Sequence, residues 1–420
     1  MMAESPLAAM TLDNRTFRAL VLAQTRAGAA AEPVCRHAPP HDWCGGCTLQ
    51  DRAYAAQVAG KHAALRQLWR GHVADDVIAA MRYIASPEPF GYRARMDFVA
   101  SKARFGLRRA GRFNYIVDLH ECHLISPRAF AAARHAYDLA CTLGWPDYHL
   151  REHHGFLRYI VVRRSPDDEL LIACVTSDPA ASAIGVDQLE RWASQVLQAP
   201  GVVGVHWLRN DTRNDSSFGI PTMHWGAATL GMRVGSHRLH IAANSFFQNN
   251  LTLLEPLLDH IGTATAGAPR VADVYGGVGT IALTLADRCD QIVSIESVAE
   301  STRLAEYNRD CLGADRCRII GSDALVWLQA QPAASLDVLI VDPPRTGLGP
   351  QVCAEIRRIA PERVIYLSCH PLTQRDDWMA LAADYTMHSL TGYDMFPQTP
   401  HIETLAILDR RGATQPSAAR

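Results

Sequence analysis

An α/β chain in three parts is what the sequence predicts: a cysteine-rich N-terminal segment, a central antiparallel β-rich domain and a C-terminal parallel sheet. Three observations predict it. After Gly235, buried apolar runs alternate with helical stretches (RVADVY, QIVSIE, RCRIIGSDA, LDVLIVDPP, RVIYLSC), the pattern of a parallel sheet with right-handed crossovers. From Gly91 to Trp225, short strands such as RMDFVASKARFGLRR, YIVVRRS and LLIACVTS are separated by Gly, Pro, Asn and Asp turns, which reads as mainly antiparallel. Ahead of both, Cys35, Cys44 and Cys47 stand close together before a helical stretch.

Taken in order, residues 1–34 are rich in alanine, carry several arginines and lack a clear period, so they read as a disordered tail. Residues 35–90 hold the cysteines and a helix over 51–80, where Ala, Leu and Val recur at three and four positions in YAAQVAGKHAALRQLW. The central domain is expected over 91–235, the parallel α/β domain over 236–410, and a second disordered tail over 411–420. The 420 residues, 48% of them hydrophobic, suffice for two or three domains with a large core. No apolar run approaches the roughly 20 residues of a membrane helix, and ALVLA near the N-terminus is too short for a secretory core. A cytoplasmic monomer with no membrane partner is the expectation.

The net charge of −2 gives no global signal for a polyanion, so any nucleic-acid surface must be local. One stretch qualifies. Arg82, Arg93, Arg95, Lys102, Arg104, Arg108, Arg109 and Arg112 face only Glu88 and Asp97, with Tyr83, Phe90, Tyr92, Phe98 and Phe105 interleaved. RNA-binding surfaces combine charge and aromatic rings in this way; a solvated strand face is the plainer alternative.

Eleven cysteines in a chain of this length argue for metal or thiol chemistry over a disulfide framework. Cys35, Cys44 and Cys47 form C-x8-C-G-G-C, whose glycines let the backbone wrap an inorganic centre. Three thiolates are one ligand short, and Cys122 in DLHECHL is the best fourth. Zinc is the rival, kept open by His37, His41 and His123. Cys141, Cys174, Cys289, Cys311, Cys317 and Cys353 have no ligand spacing and read as structural.

In the parallel domain, DVYGGVGT (Asp273 to Thr280) joins the first strand to a helix, and its glycines admit a ligand close to the backbone, a Rossmann-like arrangement. Glu296, ending the second strand, can hold a ribose diol; Asp323 after the third fits an adenine amine. A nicotinamide dinucleotide and S-adenosylmethionine both satisfy this geometry. VDPPRTG (Asp342 to Gly347) ends the fourth strand in a rigid loop. Cys369 closes VIYLSCHP and Glu403 closes YDMFPQTPHIE, so a thiol and a carboxylate end two neighbouring elements. That pairing suggests covalent chemistry, in which a nucleophile needs a separate group to remove a proton later.

Together, DPPRTG followed by VIYLSCHPLT, YDMFPQTPHIE and NSFFQNN (Asn244 to Asn250) resemble the RNA 5-methyluridine methyltransferase family, in the family's order and over nearly the whole chain. The resemblance implies a class I S-adenosylmethionine-dependent methyltransferase domain, with Cys369 as nucleophile toward uracil C6 and Glu403 as the base that takes the C5 proton. Gln248, Tyr275, Thr280, Glu296, Asp323 and Asp342 would surround the cofactor or uracil, and Phe246 would pack on the base. His401 would be a second candidate base or a structural hydrogen-bonding group. The cysteines resemble those of iron-sulfur-containing members, implying a 4Fe-4S cluster on Cys35, Cys44, Cys47 and Cys122. The implied partner is structured RNA, with 23S ribosomal RNA favoured and the tRNA thymine loop as alternative; a non-catalytic iron-sulfur RNA-binding protein is the reading of another class. The segment before Cys35 is too short for the small β-barrel that precedes the cluster in some members, so RNA recognition is expected from the cysteine segment and central domain. Two positions depart from the family: Gly276 replaces a cysteine, and His370 replaces the asparagine after the nucleophile.

Overall fold

A computed structural model describes residues 13–179 and 184–412; the expected tails at 1–12 and 413–420 lie outside the described residues. The rest of the expected N-terminal tail does not behave as one. Asp13 accepts the Thr16 backbone N–H at 2.7 Å and starts helix α1, Asn14–Arg26. Phe17 and Val21, one turn apart, bury against Ala64, Leu65 and Leu68 of α2, Tyr54–Trp69. The helices touch because residue 60 is glycine: a Cβ there would meet Thr25 Cα at 2.4 Å. Two apolar residues on an alanine- and arginine-rich background make a weak pattern, and partner contacts supply what periodicity does not. The expected helix over 51–80 is broken at Gly71, which adopts φ +78°, and resumes as α3, Asp75–Ala80.

Strand β1, Arg82–Ile84, follows. It does not stay with the cysteine segment but joins the C-terminal sheet described below. The central sheet is built from β2 (Arg95–Ser101), β3 (Arg104–Arg109), β4 (Arg112–Asp118), β5 (Leu157–Arg164), β6 (Leu170–Thr176), β7 (Val202–Arg209) and β8 (Ile220–Gly226), in the order β4-β3-β2-β5-β6-β7-β8. All its pairings are antiparallel except β6 with β7, whose crossover is α5, Val186–Val196. Helix α4, Pro127–Thr142, and α5 cover one face, with Phe130, Ala133 and Trp192 buried on it.

Strands β9 (Leu230–Val234) and β10 (His237–Ile241) form a tight hairpin through Gly235. Its Leu230, Met232, Leu239 and Ile241 share one core with helix α6, Leu251–Thr265, and the parallel sheet. The expected boundary at 235/236 therefore falls inside a hairpin, and the two domains share packing across it.

The C-terminal sheet contains β11 (Arg270–Val274), β12 (Gln291–Glu296), β13 (Cys317–Gly321), β14 (Val338–Val341), β15 (Arg363–Ser368), β16 (Tyr385–Tyr393) and β17 (Glu403–Arg410). Among the described residues its order is β1-β16-β17-β15-β14-β11-β12-β13, with β17 antiparallel to both neighbours and every other pairing parallel. Helices α7 (Thr280–Leu285), α8 (Ala299–Leu312), α9 (Ala324–Gln329), α10 (Gly349–Ile359) and α11 (Pro371–Leu381) make the connections. On one face, α1 and α2 share a core with Val341, Tyr366 and Leu408; Trp69 and Leu65 are fully buried there. Each such side chain contributes about 1.5–3 kcal/mol by leaving water. No helix among the described residues is long and apolar enough to cross a membrane.

Candidate active site

Parallel α/β sheets bind ligands at the carboxyl ends of their strands, and the expected site residues gather there. Ser368 of β15 pairs with Thr404 of β17 in antiparallel register. One step further along that register Cys369 stands opposite Glu403, so residues 34 positions apart end on adjacent strand tips. The floor beneath them is tied down: Thr404 Oγ1 donates to Ser368 O at 3.2 Å and to Gln374 Oε1 at 2.7 Å, and Gln374 Nε2 donates to Tyr366 O at 2.8 Å.

Burial pushes the Cys369 thiol up to about 11; Glu403 raises it further, while the Arg345 guanidinium favours the thiolate by charge and hydrogen bonding. Glu403, 2% exposed, is held well above the usual carboxylate range by burial and by Asp342, again opposed by Arg345. Asp342 follows β14 and is raised to about 7 by burial, although Gln248 Nε2 donates to its Oδ2 at 3.2 Å. Behind them Asp273, fully buried at the end of β11, rises to about 8 through burial and then the Asp342 charge. Burial thus favours the protonated forms of Glu403, Asp273 and the Cys369 thiol.

Arg345, within the DPPRTG motif, is a functional candidate to which the sequence assigns no task. Its loop is pinned by Asp377, which accepts from Leu348 N at 2.8 Å, Gly349 N at 3.1 Å and Tyr366 Oη at 2.7 Å. Asp377 lies on α11 with no spacing signal to link it to the loop.

A cavity beside Asp342 is lined by Gln248, Tyr275, Thr280 and the backbone of Gly276 to Val278, with Phe246, 61% exposed, at its mouth. Tyr275 takes the left-handed region, φ 70°, a strained conformation for a side-chain-bearing residue. Glu296 ties the glycine loop by accepting Gly277 N at 3.0 Å and closes its own turn through Val298 N at 2.7 Å. Asp323 is exposed and caps α9, accepting Leu325 N at 2.9 Å and Val326 N at 3.2 Å. Its charge reaches the Tyr275 hydroxyl, which burial raises to about 12 and Asp323 raises further. Thus Gln248, Tyr275, Thr280 and Asp342 line one cavity, while Glu296 reaches it only through its bond to Gly277 N and Asp323 is not part of its lining. An adenosyl sulfonium fits this set: glycine backbone open to a ligand at Gly277, where a Cβ would meet nothing within 4 Å, and acidic groups for a diol, an amine and a positive sulfur.

Both departures from the family have local explanations. A Cβ on Gly276 would meet Ser294 Oγ at 2.0 Å, so Ser294 takes the space a cysteine side chain would need. His370 caps α11, its Nδ1 accepting Thr373 N at 3.3 Å and meeting Thr373 Oγ1 at 3.1 Å. An asparagine oxygen serves the same purpose. His401 packs edge-on to Phe396 at 5.9 Å and is lowered to about 4 by burial and then Arg345, which keeps it neutral.

Of the four expected cysteine ligands, Cys35, Cys44 and Cys47 are buried and Cys122 is half-buried. Burial pushes Cys44 up to about 12, with Cys122 and Cys35 raising it further, and Cys122 up to about 11, with Cys35 adding to the rise. Cys47 is raised by burial and by the other three. Cys47 and Cys122 lie close enough to act on the Arg93 guanidinium, whose Nε is buried without a hydrogen-bond partner, a setting that fits an anionic thiolate-ligated centre. His37 is removed from the candidate ligands: its Nδ1 meets Asp42 Oδ2 at 2.7 Å and its Nε2 accepts His120 N at 3.1 Å. Cys35, Glu121 and His123 bring ligand atoms within 4.8 Å of one another, with Glu121 and His123 paired at 3.4 Å. Of the cysteines read as structural, Cys141 and Cys311 are exposed and the other four are buried.

The basic stretch divides by strand alternation. Tyr92, Phe98 and Phe105 are core residues, Phe98 and Phe105 packing at 4.9 Å, and do not present rings to a partner. The exposed rings lie outside that stretch: Phe113 under Arg108 at 4.0 Å and Tyr115 under Arg104 at 4.5 Å just after it, and Phe218, far along the chain, under Arg95 at 4.4 Å. A groove of about 580 Å³ runs beside them, bounded by Arg18, Arg93, Arg108, Arg109, Phe218 and His401.

Similarity to known proteins agrees with this geometry. A family model described as tRNA (Uracil-5-)-methyltransferase matches residues 229–411. An uncharacterized RNA methyltransferase of Nitratidesulfovibrio vulgaris is 30% identical over 404 residues, covering 92% of this chain and 84% of that protein. The tRNA (uracil(54)-C(5))-methyltransferase of Pyrococcus furiosus is 29% identical over 376 residues, covering 87% and 83%. The crystal structure of the Pyrococcus abyssi tRNA (uracil-54, C5)-methyltransferase in complex with S-adenosyl-L-homocysteine superimposes with a TM-score of 0.72 at 26% identity, over 88% of this chain and 86% of that one. With this fold and these relatives, the chain belongs to the S-adenosylmethionine-dependent RNA uracil-C5 methyltransferase family.

Proposed function

We propose that the enzyme methylates a uridine of structured RNA through a covalent adduct in which Cys369 is the nucleophile and Glu403 the base. The opposition of these two side chains at the ends of β15 and β17 carries the reading. C5 of uracil is too poor a nucleophile to accept a methyl group unaided. Addition of the Cys369 sulfur to C6 places electron density on C5 and the adjoining carbonyl. S-adenosylmethionine supplies the methyl group as an activated sulfonium. Once C5 has taken the methyl, Glu403 removes the C5 proton, the C5–C6 double bond re-forms and Cys369 leaves as thiolate.

Arg345, the cation acting on both Cys369 and Glu403, offsets part of the cost of ionising them. Gln248, Tyr275, Thr280, Glu296, Asp323 and Asp342 are the proposed donor-binding residues, and a positive donor beside Asp342 favours its ionised form. Phe246 at the cavity mouth offers a face to an extruded base, and extrusion is how enzymes reach a base held within folded nucleic acid.

For the RNA, the relatives whose names specify a nucleotide, from Pyrococcus species, methylate tRNA uracil 54, and they move the preference from ribosomal RNA to the tRNA thymine loop. Ribosomal RNA is retained as the second reading on the resemblance of the thiol loop to iron-sulfur-containing members. Cys35, Cys44, Cys47 and Cys122 are the proposed 4Fe-4S ligands, with Arg93 as counter-charge. A brown anaerobic preparation that bleaches in air supports this; stoichiometric zinc in a colourless one overturns it.

The test of the catalytic reading is incubation with S-adenosylmethionine and RNA containing 5-fluorouridine, whose C5 fluorine cannot leave as a proton. A gel-stable adduct that is absent with Cys369→Ala is the expected result. No adduct on either tRNA or ribosomal RNA overturns it.

A further inference from the structure

The turn that delivers Glu403 is held from outside the methyltransferase sheet. Residues 394–402 connect β16 to β17, and their polar groups are taken up by the N-terminal segment. Gln398 occupies the left-handed region, φ 67°, which a residue with a side chain adopts only when its surroundings enforce it. The enforcement is visible on every polar atom but its amide nitrogen. Its carbonyl accepts Thr48 N at 2.9 Å and Leu49 N at 3.1 Å. Its backbone N–H donates to Gln57 Oε1 at 3.1 Å, and its side-chain oxygen accepts Gln57 Nε2 at 2.8 Å. Next to it, the carbonyl of Pro397 accepts the buried Tyr92 hydroxyl at 3.0 Å.

The start of the turn is fixed from the same side. Asp394 and Lys61 are both fully buried and pair at 2.5 Å, while Lys61 also donates to Phe396 O at 3.0 Å. Tyr54 Oη donates to the second Asp394 oxygen at 2.8 Å. Cys369, by contrast, follows β15, whose neighbours β14 and β17 both belong to the methyltransferase sheet. Glu403 therefore has a second support, from the N-terminal segment, in addition to the floor it shares with Cys369.

We propose that Gln57, Tyr92 and the Lys61–Asp394 pair are positioning residues for the second half of the reaction, holding the turn so that Glu403 meets the C5 proton of the methylated adduct. The inference rests on the reading of Glu403 as the base. Loosening this brace leaves sulfur addition and methyl transfer intact and slows the step in which the proton passes from C5 to Glu403 and the C6–S bond breaks. The thiol loop belongs to the same brace, because Thr48 directly follows Cys47.

Removing Lys61 strands the buried Asp394 charge, so the test uses Gln57→Ala and Tyr92→Phe in the full-length protein. Cellular RNA from a strain lacking the gene is mixed with S-adenosylmethionine, and rapid quenching follows the appearance and decay of the protein–RNA adduct. Expected are wild-type appearance and about tenfold slower decay, with faster hydrogen exchange at amides 394–402 and unchanged exchange at 364–369. Glu403→Gln is the control. If its adduct decays at the wild-type rate, the base assignment falls, and the brace is then judged by exchange alone. Wild-type decay together with wild-type exchange in the turn overturns the proposal. So does an equal slowing of appearance and decay, the mark of a general structural defect.

Discussion

The supports of Cys369 and Glu403 differ more than the residues' closeness suggests. Cys369 ends a parallel strand inside the sheet, over a floor built from residues 366 to 404. Glu403 begins an antiparallel strand after a turn whose bonds lead to residues 48–61, more than 300 positions away in the chain. The two side chains thus share one local floor, and Glu403 alone adds a support assembled from distant pieces. The lesson is that side chains on neighbouring strand tips can be independently vulnerable.

The largest effects should separate those halves most cleanly. Cys369→Ala is expected to lower methylation by at least about a thousandfold with no adduct formed, whereas Glu403→Gln should lower turnover by about 10²–10⁴ while adduct accumulates on ordinary uridine RNA. Denaturing gels of single-turnover reactions tell them apart, and equal absence of adduct in both variants would collapse the distinction.

Next in size is Gly276→Cys, which restores the residue usual in the family. Because its Cβ meets Ser294 Oγ at 2.0 Å, it should destabilise the protein by about 1–3 kcal/mol in denaturant unfolding, with most of the loss recovered by adding Ser294→Gly. Failure of the second change to rescue would show that the loop itself, and not the pair, rejects the side chain.

The pH response probes the floor behind the nucleophile. Asp273 has a folded pKa of about 8 against an ordinary 3.8, so the folded state binds the extra proton between those values. That contribution to stability is fully present below about pH 4 and is lost as pH rises through about 8. Asp273→Asn should flatten this fall in thermal melts; an unchanged slope would place the proton uptake on another of the buried acids.

The smallest effect belongs to His370. Its ring accepts the Thr373 N–H, and burial lowers its pKa, so its neutral form stabilises the folded state above about pH 6.5 and this support fades as pH falls through the folded value. His370→Ala should cost about 1 kcal/mol at neutral pH. His370→Asn should be close to neutral and remove the acid sensitivity, read from unfolding midpoints at two pH values.

Much of the sheet was legible in the sequence, since β11, β14 and β15 coincide with apolar runs buried on both faces and β12 and β13 with alternating apolar positions. That Cys369 and Glu403 end neighbouring strands, and that Gln248, Tyr275, Thr280 and Asp342 come together, was legible through the motifs that carry them. What escaped were contacts between segments far apart. Helix α1 was hidden because Phe17 and Val21 are too few to make a pattern alone, and β1 because three residues carry no period. The Lys61–Asp394 pair and the grip of Asp377 on the Arg345 loop leave no local trace, as each partner looks like an ordinary surface charge. The aromatic surface was misplaced for a simpler reason: alternation along β2 and β3 sends Phe98 and Phe105 inward.

Strand β1 has a further consequence during synthesis. Its only partner in the sheet, β16, is made some 300 residues later, and the helices before it complete their core against Tyr366 and Leu408. Elements α1, α2 and β1 thus find their places only after β15 to β17 are made, and their apolar faces wait in the open until then. A ribosome stalled before β16 would expose that face, making the nascent N-terminus a client for chaperones even though the finished protein hides it.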